Sequence, residues 1–377
     1  MKKDILINTR FSTTKSTNTH YHIVDKWDEA FQQWFKISRN ESHWDRIAIL
    51  TDEHVWSHYR DKIRSSLSLL DCPLVLLLLS PGENSKEFSI LPHFVETLLQ
   101  NGVHRRDLLI CIGGGVCCDL GGLLAMLYMR GMDYVNLPTS LMAQIDAAIG
   151  GKVGSNLGIL KNVLGGFHQP LQVFIDISFL NTVSDIHFRS AMAEAVKIAI
   201  IQKNGLFLEF LEKHSKSILN RNNKQILELI KTCLQGKLEL IADDPYETFL
   251  DRSLNLGHAM AHAIELLPVM PGHRKPLHGE AVSIGLAAEI RYAFKFGFCS
   301  KERAERFLSL LNSFSLPLTP GSIDPRQIKS QLNYISNQRG GLIRLVVPVD
   351  KGGVAILPEA ESDILIECLE PVPGLLL

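Results

Sequence analysis

Three short apolar runs in the first half of the chain each end at turn residues and are each followed by an amphipathic stretch, and this alternation restricts the fold more than any other feature. "RIAIL" runs into Thr51-Asp52, "PLVLLLLS" into Pro81-Gly82-Glu83, and "DLLICI" into Gly113-Gly114-Gly115. The longest of them, Pro73 to Ser80, is far too short to span a bilayer and reads as a buried strand. Strands that alternate with helical stretches make βαβ units, a parallel sheet with helices on both faces. "DYVNLP" adds a strand leading to Thr139-Ser140, and "QVFIDISFL" closes the half near Leu180. In such sheets ligands sit beyond the carboxyl ends of the strands, where Asp52, Glu83 and the three glycines fall.

From about Asp185 the apolar period becomes that of helices, in "RSAMAEAVKIAIIQKNGLFLEFLEKH", "KQILELIKTCLQGKLELIADD", "LNLGHAMAHAIELL", "GEAVSIGLAAEIRYAFKFG" and "KERAERFLSLLNSF". The fold class is therefore α/β: a Rossmann-like, doubly wound parallel-sheet domain over residues 1–184 and a mainly α-helical domain over 185–377. The cleft between them is the expected place for a site. A chain of 377 residues, 46% of them hydrophobic, has apolar material for two cores. Its 39 basic and 40 acidic residues are interspersed, so no field gathers nucleic acid or a membrane surface, and a small-molecule partner is expected. "MKKDILINTR" carries charge without an apolar stretch behind it, so no secretory signal is read there. Seven cysteines without a CxxC spacing are expected to be reduced, in a soluble cytoplasmic protein.

The glycine turn "GGGVCCDLGG" would let backbone N–H groups approach a pyrophosphate at a helix N-terminus. It lacks the GxGxxG spacing, however, and serves equally as a tight structural turn. Asp119, in the first turn of the following helix, suits the helix dipole as well as it suits a ligand. Farther on, Glu194, His258 and His278 each open or lie within a helix; two imidazoles and a carboxylate with an open position is the composition of a catalytic zinc site. Against that, a histidine on an apolar helix is more often a satisfied core residue. His262, one turn after His258, is either the other half of a ligand pair or a separate acid–base group on the same face. "AQIDAAIGGKVGSNLGILKNVLGGFHQP" offers Asp146, Lys152, Asn156, Lys161 and Asn162 among glycines, which suits a phosphate-bearing ligand or a flexible surface loop.

Six stretches, "GGGVCCDLGGLLAMLYMRG", "LPTSLMAQIDAAIGGKVGSN", "LKNVLGGFHQP", "MAEAVKIAII", "LNLGHAMAHAIE" and "LHGEAV", stand in the order and approximate spacing of the 3-dehydroquinate synthase superfamily, the sugar phosphate cyclases. The chain resembles that family from about Asp52 to Gly297. The resemblance implies a dehydroquinate synthase-like fold, NAD as cofactor, and a divalent metal, zinc or cobalt, on Glu194, His258 and His278. NAD is implied at Asp52, Glu83, Lys86, Gly114, Gly115, Val116, Asp119, Thr139 and Ser140, with Lys161 between cofactor and substrate. Asp146, Lys152, Lys197, Asn255 and His262 match acid–base and catalytic positions, and Asn162 and Lys237 match substrate-binding positions. Arg130 matches an arginine that reaches the neighbouring subunit's substrate phosphate, so a homodimer is implied. In this family NAD oxidises a ring hydroxyl, the ketone acidifies the adjacent C–H, phosphate leaves by β-elimination, the ketone is reduced again, and the opened enol closes by an aldol step.

One position departs from the pattern. In 3-dehydroquinate synthases the arginine that meets the substrate carboxylate lies four residues before the Asn255 equivalent; here Asp251 stands there, with Arg252 one place later. On a helix that offset turns a side chain by about 100°, and an aspartate repels a carboxylate. Near the C-terminus Asn337-Gln338-Arg339 replaces a frequent Asp-Lys-Lys run. Both features resemble cyclases that take sedoheptulose 7-phosphate, such as 2-epi-5-epi-valiolone synthase, although those commonly replace the His262 equivalent by proline and this chain keeps histidine. The favoured expectation is thus a sugar phosphate without a C1 carboxylate, with Arg252 near the substrate. The alternative is a 3-dehydroquinate synthase acting on 3-deoxy-arabino-heptulosonate 7-phosphate. More distant rivals are a glycerol dehydrogenase-type alcohol dehydrogenase, which would not need phosphate-binding lysines, and a non-catalytic NAD-binding relative.

Overall fold

The computed structural model describes residues 18–42, 44–158, 160–249, 252–268, 274–338 and 341–375. Asp251 and Arg339, which entered the substrate argument, lie outside the described residues. In chain order the first half carries β1 (His20–Val24), α1 (Trp27–Ser42), β2 (Ile47–Asp52), α2 (Glu53–Ser68), β3 (Leu74–Leu79), α3 (Leu91–Gln100), β4 (Leu108–Gly113), α4 (Gly115–Leu127), β5 (Asp133–Pro138), β6 (Lys152–Leu157), β7 (Leu160–Phe167) and β8 (Gln172–Asp176). The second carries α5 (Asp185–Ile201), α6 (Leu206–Leu219), α7 (Asn223–Ile241), α8 (His258–Glu265), α9 (His278–Lys295), α10 (Lys301–Ser313), α11 (Pro325–Gln338), β9 (Leu345–Pro348), β10 (Val354–Leu357) and α12 (Ser362–Glu367).

A parallel sheet of six strands runs in the order β1-β8-β5-β4-β2-β3. Strand β4 is buried along its length because helices cover both faces. Its alternate residues feed two different cores: Leu108, Ile110 and Ile112 join Trp27, Phe31 and Phe174, while Leu109 and Cys111 join Leu120, Leu124 and Tyr134. Strand β3 corrects the reading of a fully buried strand. It lies at the sheet edge, so Leu74 and Leu78 are 37% and 39% exposed, whereas Val75, Leu77 and Leu79 point into the core.

A third core continues from Val173 and Ile175 of β8 and Cys118 of α4 through α5 into α8, α9 and α10. The helical half therefore packs on the sheet, and the strand ends face it. The stretch left open between ligand loop and surface loop is the antiparallel β6–β7 hairpin. The antiparallel pair β9–β10 was not legible in the helical periodicity. All seven cysteines are free, with Cys111, Cys117 and Cys118 buried as the thiols expected from their spacing. No described helix is long and apolar enough to cross a membrane.

Candidate active site between the strand ends and the helices

The sheet side of the cleft is made by the turns after β2, β3, β4 and β5. Asp52 ends β2 and caps α2, accepting from the Val55 N–H at 2.9 Å. Gly114 caps α4 without a side-chain hydrogen bond, which leaves the first N–H groups of that helix facing the cleft. The neighbouring glycines are there for space: a Cβ on Gly113 would stand 2.5 Å from Cys117 Cβ, and one on Gly121 would stand 2.2 Å from Cys111 Sγ. Thr139 donates its backbone N–H to Gly113 at 2.9 Å, tying the β5 turn to the glycine turn. A Cβ on Gly114 would touch Ser140 Oγ at 3.4 Å, so Gly114, Thr139 and Ser140 line one place.

Beside these turns, Lys86 is buried and donates to Asp119 at 2.5 Å and to Asn162. Burial would lower its pKa, but the Asp119 and Glu83 carboxylates raise it above the ordinary value, so the ammonium is retained. Asn162 adopts φ +52°, and its N–H is held by Asn156 Oδ1 at 3.0 Å. Asn156 also donates to Glu83 at 3.0 Å. Lys161 spans the cleft, with Nζ 3.8 Å from Glu83 and 2.8 Å from Glu265.

On the helical side, Lys237 of α7 is buried and donates to the main-chain oxygen of Asp146 at 2.7 Å and to its carboxylate at 2.6 Å. Asp146 sits in a π-helical turn, Ala143–Ala147. Burial would raise its pKa, and the Lys237 ammonium more than reverses that, leaving the carboxyl below its usual value. Lys152 opens β6 and pairs with Glu247, which also receives Arg252 Nη1. Arg252 further donates Nε to Phe249 O at 2.9 Å and Nη2 to the Glu247 carbonyl.

The backbone at Arg252 is extended, with φ −126° and ψ 116°, ahead of a short 3-10 turn at Ser253–Asn255. Arg252 therefore does not lie in an α-helix, which corrects the expectation of a helical register at this position. Asn255 is exposed in that turn. Arg130 stands exposed in the turn after α4 with φ +67°, and among the described residues no hydrogen bond or ion pair joins it to the other site residues.

Glu194, His258 and His278 come from α5, α8 and α9, and their ligand atoms lie within 4.8 Å of one another. The His258 Nδ1–H donates to Leu256 O at 3.1 Å, which turns Nε2 toward Glu194 Oε1 at 3.6 Å. His278 directs Nδ1 at Glu265 Oε1, 3.1 Å away, and Nε2 at Glu194 Oε1, 3.4 Å away. Glu194 is 2% exposed, yet neither carboxylate oxygen has a hydrogen-bonded partner among the described residues. Lys197, one turn along α5, approaches Oε2.

A buried carboxylate that is ion-paired with Lys197 through Oε2 and presents Oε1 to two imidazole Nε2 atoms is a donor set that fits a divalent cation. Burial drives the His258 imidazole down to about 3, so it is neutral as a ligand must be. Around His278 burial has the same sense, but the Glu194 and Glu265 carboxylates prevail and raise it to about 10. His262 lies on the same side of α8, its ring edge-on to His258 at 5.5 Å between centroids.

Two acidic residues of the site were missed in the sequence. Glu265 is buried behind His278 and Lys161, and its place seven residues after His258 puts it on the same helical face, a signal that was available. Glu247, the partner of Lys152 and Arg252, sits in a connection without periodicity, and no local signal marks it.

A family model described as 3-dehydroquinate synthase N-terminal matches residues 76–190, and its C-terminal counterpart matches residues 191–337. The chain belongs to the 3-dehydroquinate synthase family. The 3-dehydroquinate synthase of Dictyoglomus turgidum is 38% identical to this family member over 292 residues, 77% of this chain and 80% of that one. That of Caldanaerobacter subterraneus subsp. tengcongensis is 33% identical over 337 residues, 89% and 94% of the two chains. Among solved structures, the 2-epi-5-epi-valiolone synthase of Streptomyces hygroscopicus subsp. jinggangensis, with NAD+ and Zn2+ bound, superposes with a TM-score of 0.84 at 26% identity, covering 96% of this chain and 98% of that one. The family member is thus a sugar phosphate cyclase, a carbon–oxygen lyase acting on phosphates.

Proposed function

We propose that the enzyme is a 3-dehydroquinate synthase that uses NAD and a divalent metal to cyclise 3-deoxy-arabino-heptulosonate 7-phosphate with loss of phosphate. What carries this reading is the identity of 33–38% with curated 3-dehydroquinate synthases over most of their length. Retention of His262 beside His258 supports it. When bound, NAD takes and returns a hydride, and the metal draws charge from the substrate oxygen it meets. Glu194, His258 and His278 hold the metal, and the turns at Asp52, Glu83, Lys86, Gly114, Gly115, Val116, Asp119, Thr139 and Ser140 hold NAD. Lys152, Lys161 and Asn162 supply charge and donors for the phosphate. His262 moves the proton on the phosphate side. Asp146, held by Lys237, together with Lys197 and Asn255 orients the ring hydroxyls, which fixes the reacting groups in position. Residues 1–184 act as the NAD-binding unit and 185–377 as the metal and substrate unit. The enzyme works as a homodimer in the cytoplasm, with Arg130 reaching the neighbouring site.

A second reading has its own observation. Every nitrogen of the Arg252 guanidinium is directed at Glu247 or Phe249, and an arginine so committed is withheld from a substrate carboxylate. Sedoheptulose 7-phosphate then becomes the preferred sugar. Phosphate release from the two heptulose 7-phosphates, compared as kcat/KM with catalytic NAD, separates the readings. The first expects efficient turnover of the acidic sugar with its loss in Arg252→Ala, and the second expects the neutral sugar to win. NADH accumulating in step with product would defeat both.

A further inference from the structure

α8 begins at a turn that is clamped onto α9. Gly257 adopts φ +81°, and a Cβ there would lie 2.9 Å from Leu286 Cγ and 3.0 Å from Val282 O. On the facing helix, a Cβ on Gly285 would lie 1.9 Å from Gly257 O. Two glycines thus bring the backbones together, and between them stands a buried carboxyl. Glu289 of α9 has no exposed surface, and its Oε2 accepts the Gly257 N–H. Its other oxygen has no hydrogen-bonded partner among the described residues.

The Gly257 N–H lies immediately before α8 in a buried turn, where an unpaired donor is costly. The same turn fixes a ligand: Leu256 O, one residue before Gly257, receives the His258 Nδ1–H, and that bond decides where Nε2 points. Glu289 also lies eleven residues after His278 on α9, about three turns, so both ligand-bearing turns rest on one helix face.

We infer that Glu289 is a positioning residue for the metal group, holding the Leu256–His258 turn through the Gly257 N–H so that His258 presents Nε2 to Glu194. This rests on the reading of Glu194, His258 and His278 as the metal-holding set. Glu289 touches neither substrate nor metal; its effect passes through the backbone.

The test uses the full chain loaded with Co2+, with affinity measured by competition against a chelator and the site geometry read from the visible absorption of the bound cobalt. Glu289→Met keeps the volume and removes the acceptor, and Glu289→Ala is a second variant of the same kind. Glu289→Gln keeps an acceptor. Met and Ala are expected to lower cobalt affinity by about 10- to 100-fold and to shift the cobalt spectrum, while Gln stays near the wild type and NAD binding is retained throughout. Wild-type affinity and spectrum in Met or Ala, even with a lowered melting temperature, would assign Glu289 a purely structural role and overturn the inference. So would a loss in Gln as large as in Met. If the wild-type chain itself takes up no cobalt, the metal reading fails first, which is a distinct outcome.

Discussion

The two sides of the cleft are built by different physics. On the sheet side the site is mostly backbone, made of strand ends, helix N-termini and glycines that leave space, with the buried Lys86–Asp119 ion pair beside them. On the helical side it consists of side chains, with Glu194, Lys197, Lys237 and Glu265 buried in apolar packing. Charges in such a medium are maintained by one another. Asp146 depends on Lys237, and Glu265 on His278 and Lys161. The contrast teaches that the sheet side is vulnerable to added atoms, and the helical side to lost charges, protons and metal.

The largest effect is expected where that contrast is sharpest. His278→Ala should remove the metal and lower kcat on the order of a thousandfold, while NAD affinity, followed by calorimetry, is preserved. Parallel loss of NAD binding would show that the two sides are not separable. Gly121→Ala probes the other side, where the new methyl meets Cys111 and Leu50. It should destabilise the fold by about 1–3 kcal/mol in denaturant unfolding with metal content unchanged.

Glu265→Ala should weaken metal binding by about 10- to 100-fold, because His278 loses the carboxylate that orients its Nδ1. Chelator competition measures this, and an unchanged constant would mean that Glu194 alone positions the ring. The smallest expected effect is a pH dependence. Without metal the His278 imidazole holds its proton up to about 10, and ligation requires the neutral ring. Metal binding therefore releases a proton below that pH, and affinity should rise by about tenfold per unit as pH increases and fall as pH decreases. His258, at about 3, adds nothing at neutral pH. A flat profile in buffered titrations would show that the Glu194 and Glu265 pair does not control the site.

What the chain determines by itself is local. The run Leu108–Gly113 followed by Gly114 and Gly115 is strand, turn and helix for reasons contained in about ten residues, and the helical period of the second half is equally plain. The family motifs rest on such segments, so the fold class, the glycine turn and the three side chains that the fold gathers, Glu194, His258 and His278, were legible early. Tertiary structure alone decided which apolar strand became an edge, as β3 did, because edge and centre differ only in what lies beside them. It also decided that Arg252 turns to Glu247 from an extended backbone, and that Glu289, within an apolar helix, meets the turn before His258. Periodicity records burial and turning over a few residues, whereas the pairing of a buried charge is set by chains brought together from far apart in sequence.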